Sequence, residues 1–413
     1  MSWKMKYERN WGQLGMKSEW KIETLADVCK VVTDGSHYSP HSVQKGKYMV
    51  SVKDFTEYGF DFSQCRQISE QDYEKLQKGG CVPEYQDILV GKDGVRYFED
   101  IILYRQDERP ALLSSIAILR CDESKIMPEF LYYLLKMPSV QKNVKENYGS
   151  GSAIPRIVLK DFRRMPVQYP DIKTQEAIVS ILQCIDEKIQ VNLRINKNLE
   201  QQAQTLFDHF YDCLSGQACT LSEIIDIRDG THDSPKATDN GYPLVTSKHL
   251  LPFGVDTSSA NIISKADYDK VNERSNVNTG DILISMIGTV GLISYVIDSP
   301  VEFAIKNVGL FKTSQHPSLD LYILYYLKSI STTHHIERCL AGSTQKYISL
   351  GELRKLPILV PSQQELDVYN SVVRPIVSEI ILLVQENRRL SNIRDLLLPK
   401  LMTGELDVSD IDL

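Results

Sequence analysis

Two related α/β (α+β) globular domains, separated by long α-helices that form an antiparallel coiled-coil pair, with a pseudo-two-fold internal repeat: this is the fold class the sequence predicts. Three observations lead there. An irregular motif occurs twice, as Asp34-Gly-Ser-His-Tyr-Ser-Pro40 and as Asp229-Gly-Thr-His-Asp-Ser-Pro235. The echoes that follow it keep their order to the end of both halves. Each half then closes in a stretch whose apolar residues alternate steps of three and four, the seam of a coiled coil.

The echoes set the boundaries. Ile68-Ser-Glu-Gln-Asp-Tyr73 meets Ile263-Ser-Lys-Ala-Asp-Tyr268, Asp87-Ile-Leu89 meets Asp281-Ile-Leu283, and Tyr132-Tyr-Leu134 meets Tyr325-Tyr-Leu327. Leu159-Lys-Asp-Phe-Arg-Arg-Met-Pro166 meets Leu350-Gly-Glu-Leu-Arg-Lys-Leu-Pro357. A period of roughly 190 residues is too long for a solenoid and holds a domain plus a connecting element. Divergence inside each copy gives two related surfaces free to recognise different things; an old duplication without functional symmetry is the plainer account.

In chain order, residues 1–17 form an extension with no counterpart in the second copy, and 18–170 form the first domain. Its Leu25 to Val32 stretch reads as strand and Pro128 to Lys142 as helix. Residues 171–215 form the first long helix and 216–361 the second domain, with strand character over Ile282 to Val296 and a helix around Ser318 to Ser329. Residues 362–405 form the second long helix and 406–413 an acidic tail.

The first helical seam runs Ile178, Leu182, Ile185, Ile189, then Leu199, Ala203, Leu206 and Phe210, with Asn192 and Asn196 at the seam positions between. The second runs Val373, Ile376, Ile380, Leu383, Leu390, Leu397 and Leu401, with Asn387 standing where Asn196 stood. A polar residue in a seam costs stability and fixes register, so Asn196 is expected to face Asn387 across the pair; the alternative is a solvent-facing asparagine beside a loose seam. Ser362-Gln-Gln-Glu365 is a capping box that starts the second helix, and Asp171 is an N-cap for the first. Pro375 predicts a kink.

At 413 residues, with 42% hydrophobic and 24% charged, the chain has the make-up of a globular protein with more than one core. Eight cysteines fall in no CxxC pair, so free thiols are expected. No apolar run is long enough to span a membrane and the first residues are charged, which predicts neither export nor insertion and a cytoplasmic location. The net charge of −7 argues at first sight against a nucleic-acid partner, although Arg156, Lys160, Arg163 and Arg164 cluster late in the first copy and leave room for a local basic surface.

His37 and His232 lie in polar turns, where they serve either as exposed donors or as turn-stabilising bonds. They lack neighbours at ligand spacing, so no metal site is expected. The Gly149 to Ser152 and Gly342 to Ser343 loops let backbone amides approach an anion, with Arg156 or Lys346 beyond to neutralise it; loop flexibility alone also explains the glycines. Lys53 and Lys248 follow strands. Pro83-Glu-Tyr-Gln-Asp87 with Lys92 contains the letters of a nuclease site, but the spacing does not fit and Met286 stands at the position equivalent to Lys92.

Domain, heptad helix, related domain, heptad helix: this order resembles the specificity subunit of type I restriction-modification systems. The most specific matches are Asp229-Gly-Thr-His232, Gly342-Ser-Thr-Gln-Lys-Tyr-Ile348 and the ending Leu396-Leu-Leu-Pro-Lys-Leu-Met-Thr-Gly-Glu-Leu406. The resemblance implies that each domain reads one half of a bipartite, asymmetric DNA target. It also implies that the helices set the spacing and dock two methyltransferase subunits, with restriction subunits joining the full complex. This chain is then no enzyme and binds no cofactor; S-adenosylmethionine, ATP and Mg belong to the partners. Consistently, the sequence carries no methyltransferase Asn/Asp-Pro-Pro-aromatic motif and no P-loop. Candidate DNA-binding residues are Ser36, His37, Tyr38, Lys53, Ser152, Arg156 and Lys160 in the first copy. In the second they are Thr231, His232, Lys248, Ser343, Gln345, Lys346 and Tyr347. Helices of about 38 residues would span on the order of 57 Å, close to one and a half turns of B-DNA. The first copy departs from the pattern at Asp34-Gly-Ser-His37 and at Gly149-Ser-Gly-Ser-Ala-Ile-Pro-Arg156, so the two halves are expected to read different bases. Competing readings are a stand-alone nuclease or methyltransferase, and a coiled-coil scaffold without DNA specificity.

Overall fold

The duplication seen in the sequence is a duplication of sheets. A computed structural model describes residues 19–149, 155–342 and 345–408. It divides into two units, one running to Lys188 and resuming at Leu390, the other holding Ile189–Arg389.

The first unit begins with β1 (Lys21–Thr24), a single helical turn α1 (Leu25–Val28), β2 (Cys29–Asp34), β3 (Lys47–Val50), β4 (Arg66–Ile68) and α2 (Glu70–Lys78). It continues with β5 (Ile88–Gly91), β6 (Ile101–Leu103), β7 (Ala111–Leu112), β8 (Ile116–Cys121), α3 (Pro128–Lys136), α4 (Pro138–Tyr148), α5 (Leu159–Arg164) and β9 (Pro166–Tyr169). The long helix α6 (Ile172–Cys213) follows. Then come β10 (Ala218–Thr220), β11 (Ile227–Asp229), β12 (Ala237–Val245), β13 (Asn261–Ile263), α7 (Lys265–Ser275), β14 (Ile282–Ser285), β15 (Ile293–Tyr295), β16 (Ala304–Ile305) and β17 (Val308–Phe311). The chain closes with α8 (Asp320–Lys328), α9 (Ile330–Arg338), α10 (Leu350–Arg354), β18 (Pro357–Leu359) and the second long helix α11 (Gln363–Thr403).

Strand order repeats without exception. The first unit has a four-stranded sheet β2-β8-β5-β6, a three-stranded sheet β4-β3-β7 and a pair β1-β9; the second has β11-β17-β14-β15, β13-β12-β16 and β10-β18. Even the sense of pairing is kept, since β3 runs parallel to β7 and β12 parallel to β16. The central strands are apolar at successive positions because each of their faces meets a different core. Ile88 and Val90 of β5 join the helices α3 to α6, while Leu89 points into a smaller cluster with Phe60 and Tyr104. Ile282 and Ile284 of β14 divide from Leu283 in the same way.

Two local expectations are corrected. Leu25 to Val28 is helical, because the Asp27 carboxylate accepts from the Thr24 amide at 2.9 Å and from its hydroxyl at 2.6 Å, closing a capping box that turns the chain before β2 starts. The helix from Pro128 breaks at Met137, whose ψ of 128° is extended because a proline follows.

The long helices, of 42 and 41 residues, start where their caps place them. Asp171 accepts from the Thr174 amide at 3.1 Å, and Ser362 and Glu365 satisfy each other's amides at 2.7 and 3.3 Å. The second helix runs unbroken through Pro375. In the first unit Ile178, Leu182, Leu398, Leu401 and Met402 share one core, with Leu397 packed partly buried against it. In the second, Ile189, Val373, Ile380 and Leu383 are buried, while Leu199, Leu206 and Ile376 are half-buried. Ile185, Asn387 and Leu390 are also half-buried. Beyond Ala203 the buried face turns: Phe207, not Leu206 or Phe210, is the enclosed residue, because it packs on Tyr322 and Tyr369 of its own unit as well as on the helix pair.

The asparagine pairing is also corrected. Asn387 accepts from Asn192 Nδ2 at 2.8 Å, not from Asn196, and Asn192 donates to Glu386 as well at 2.7 Å. Asn192 and Asn196 are both buried and lie one helical turn apart. Among the described residues no helix is long and apolar enough to cross a membrane.

Candidate nucleic-acid interface

At one end of each four-stranded sheet the repeated Asp-Gly-Ser/Thr-His element is locked onto the neighbouring turn. The Gly35 amide donates to Ile116 O at 3.0 Å and Ser36 to Leu112 O at 2.7 Å; Gly230 and Thr231 donate in the same way to Val308 O at 2.9 Å and Ile305 O at 3.0 Å. A Cβ on Gly35 would lie 2.4 Å from Leu112 O, and one on Gly230 would lie 2.3 Å from Ile305 O. The glycine of the motif is therefore required by backbone approach.

The aspartate before it is buried in the second copy and keeps only 9% of its side chain exposed in the first, but its cation differs. Asp34 pairs with the buried Lys92 Nζ at 3.0 Å, with His37 Nε2 further off at 3.4 Å. Where Lys92 stands, the second copy has Met286, and Asp229 is met instead by Arg274 from α7. His232 is held from both sides, by Asp229 at 3.0 Å and by Asn307 Oδ1 at 2.9 Å.

These bonds sort the expected contact residues. His37 and His232 keep 77% and 59% of their side chains exposed, and Tyr38 is 61% exposed. Ser36 is not available: it is buried, and its hydroxyl donates to Tyr38 O at 2.7 Å and accepts from Tyr38 N at 3.0 Å, so it shapes the turn. The half-buried Thr231 hydroxyl accepts from the Asp233 amide at 3.1 Å in the same way. Lys53 and Lys248 project from matching single-turn helices, Val52–Asp54 and Ser247–His249, and both are exposed. In the first copy the helix is closed by Asp54, in the second by His249, whose Nδ1 accepts from the Thr246 amide at 2.9 Å. Burial, and then Lys248, hold the His249 pKa below its ordinary value.

Arg156 and Lys160 are exposed, and the backbone of Arg156 pairs antiparallel with that of Asp93 beyond β5. The equivalent segment of the second unit is tighter. Ala341 and Tyr347 exchange two backbone bonds of 2.9 Å, and Gly288 donates to Lys346 O at 3.2 Å, which leaves the Gln345, Lys346 and Tyr347 side chains exposed. Gly342, at φ +93°, allows that turn. Ser152 and Ser343 lie outside the described residues.

Arg163 and Arg354 do more than decorate the surface. They donate to the carbonyls of Val32 and Ile227, equivalent residues of β2 and β11, at 3.1 and 2.8 Å. Sequence reasoning missed Arg274 and Lys270, which with His232 line a cleft of about 370 Å³ beside the second turn, and Asn307, which is bonded to His232. No spacing marks them, because α7 and the turn come together only in the fold. Among the described residues no group of three or more His, Cys, Asp or Glu is placed to hold a metal ion.

A family model described as "Type I restriction modification DNA specificity domain" matches residues 17–201 and 217–373. The chain is 24% identical over 310 residues to the type I restriction enzyme MjaIX specificity subunit of Methanocaldococcus jannaschii, covering 69% of this chain and 71% of that protein. It is 21% identical to the type I restriction enzyme HindI specificity subunit of Haemophilus influenzae, covering 94% of this chain and all of that one (100%). The solved S subunit of a type I restriction-modification system from M. genitalium overlays with a TM-score of 0.51 at 16% identity, over 94% of this chain and 98% of its own, a likeness of fold.

Proposed function

Because this chain belongs to the family of type I restriction-modification DNA specificity domains, we propose that it is the sequence-reading subunit of such a complex, and that its chemistry is binding without catalysis. Each unit reads one half of a bipartite DNA target through the sheet-end surface that carries His37 and Tyr38 in one copy and His232 and Tyr347 in the other, with Lys346 beside them on the phosphates. Lys53, Arg156, Lys160 and Lys248 set register on phosphates, and base edges are met by the side chains nearer the turns. The long helices dock two methyltransferase subunits, which bring S-adenosylmethionine; ATP and Mg serve the restriction subunits.

One observation carries the reading. The two copies keep the same sheets and the same glycine-locked turn, yet differ in the side chains at that turn: Lys92 against Met286, Ser114 against Asn307, Tyr38 against Asp233. A shared scaffold with changed contacts is what two dissimilar half-sites require.

The test is methylation mapping in cells that express the chain with its methyltransferase partner. One bipartite, asymmetric motif is expected. Methylation without sequence preference would favour a scaffold, and turnover by the purified chain alone, with DNA and Mg or labelled S-adenosylmethionine, would favour an enzyme.

A further inference from the structure

We infer that Val95, at the tip of the loop joining β5 to β6, is a base-reading residue of the first unit and contacts the 5-methyl group of a thymine. The inference rests on the function proposed above. Val95 is 88% exposed, while the residues on both stems of its loop are buried: Lys92 at one end and Phe98 at the other. An exposed apolar side chain alone means little. Here the loop that presents it is braced from every side.

Lys92 ties its first stem to the Asp-Gly-Ser-His turn through the Asp34 ion pair at 3.0 Å. The Lys92 amide donates to Ser115 O at 2.8 Å, its carbonyl accepts from Ile157 at 3.0 Å, and the Gly94 amide donates to Pro155 O at 3.0 Å. Phe98 holds the left-handed φ of 62°, a conformation that persists only when surroundings impose it, and its ring packs on Phe162 at 5.8 Å. The charged neighbours are paired with one another, although the Arg96 side chain is itself exposed. Arg96 bonds Asp100 at 2.7 Å and Lys145 pairs with Glu99, so the acids beside the tip are neutralised within the loop. The unpaired side chain that this braced loop exposes beside Arg96 is the isopropyl group of Val95.

Such a group offers DNA one specific contact. In the major groove only thymine presents a methyl, and apolar side chains are its partners. A tip fixed by buried bonds reaches it without an ordering cost. In the second unit the matching loop carries Gly288 and Thr289 at its exposed positions, with Ser285 Oγ bonded to Thr289 O at 2.6 Å, so the two halves differ in chemistry at this point.

The experiment uses the chain complexed with its methyltransferase subunits and a duplex bearing the mapped motif, with deoxyuridine replacing each thymine in turn, which removes only the methyl. For the parent complex, one position in the half-site read by the first unit should lose about tenfold in affinity. The Val95→Ala complex should bind thymine and uracil equally at that position and keep the parent pattern at every other. Parent-like sensitivity in V95A, or no sensitive position in the parent, would overturn the role of Val95 while leaving the bipartite motif standing. Absence of any bipartite motif in the parent would instead overturn the function on which the inference rests.

Discussion

At the scale of single residues, the two copies solve one problem with different chemistry, and the difference is measurable. The turn after β3 is closed by Asp54, whereas the turn after β12 is closed by His249, accepting a backbone amide through Nδ1. That bond needs a neutral ring, and burial lowers the His249 pKa from 6.5. The unfolded chain therefore binds the proton first as acid is added, so stability contributed here is full above about pH 6.5 and declines below it until the folded pKa is passed. His249→Asp should flatten the dependence of melting temperature on pH between about 7 and 5; equal slopes for parent and variant would contradict this. The nearly buried Asp34–Lys92 pair gives a second prediction. Lys92→Met copies the second unit's residue without its compensating arginine, and should destabilise the first unit by about 3 kcal/mol in denaturant titration. Adding Asp34→Asn should recover much of the loss, since an amide is cheaper to bury unpaired than a carboxylate.

At the scale of elements, the asparagine layer trades stability for register. Asn192 and Asn387 bond across antiparallel helices in the midst of an apolar seam. Replacing both with leucine should raise the melting temperature by a few degrees, the equivalent of about 1–3 kcal/mol, and should weaken the complex's preference for one half-site spacing. A variant that is no more stable than the parent would remove the argument. The long helices and their caps were legible in the sequence, because heptad spacing and Ser362-Gln-Gln-Glu365 are local signals. Which asparagine meets Asn387 was not, since a seam gives the face of each helix but leaves the offset between helices to packing. Phe207 eluded the seam for the same reason: tyrosines distant in sequence select it. The strands were less legible still. β5 and β14 face a core on each side, so the alternation that marks a half-buried strand is missing. In the candidate interface, the glycine-locked turns announced themselves by repetition, whereas the bracing of Val95 and the cleft beside Arg274 arise from contacts that no spacing records.

At the scale of the whole molecule, charge decides how the chain meets DNA. A formal charge of −7 opposes approach to a polyanion, and much of the basic charge near the turns is already spent: Lys92 on Asp34, Arg274 on Asp229, Arg96 on Asp100. What stays exposed and available for phosphates is a small set that includes Lys53, Arg156, Lys160, Lys248 and Lys346. Each phosphate contact contributes about 0.9 to the slope of log affinity against log salt, so a few contacts produce a shallow dependence and weak binding. The isolated chain should accordingly bind a duplex carrying its motif only weakly, with a slope of magnitude no greater than about 5 in fluorescence anisotropy titrations across salt. Once the methyltransferase subunits are added, the slope should steepen and the affinity rise, as expected of a division in which partners bring further cations to the duplex and this chain brings the choice of bases. Lys346→Ala should weaken binding about equally for matched and mismatched targets, whereas changes at His232 or Val95 should act on matched targets alone. An isolated chain that already binds with a steep slope would show that its own surface carries the phosphate contacts, and the division of labour between charge and base choice would have to be abandoned.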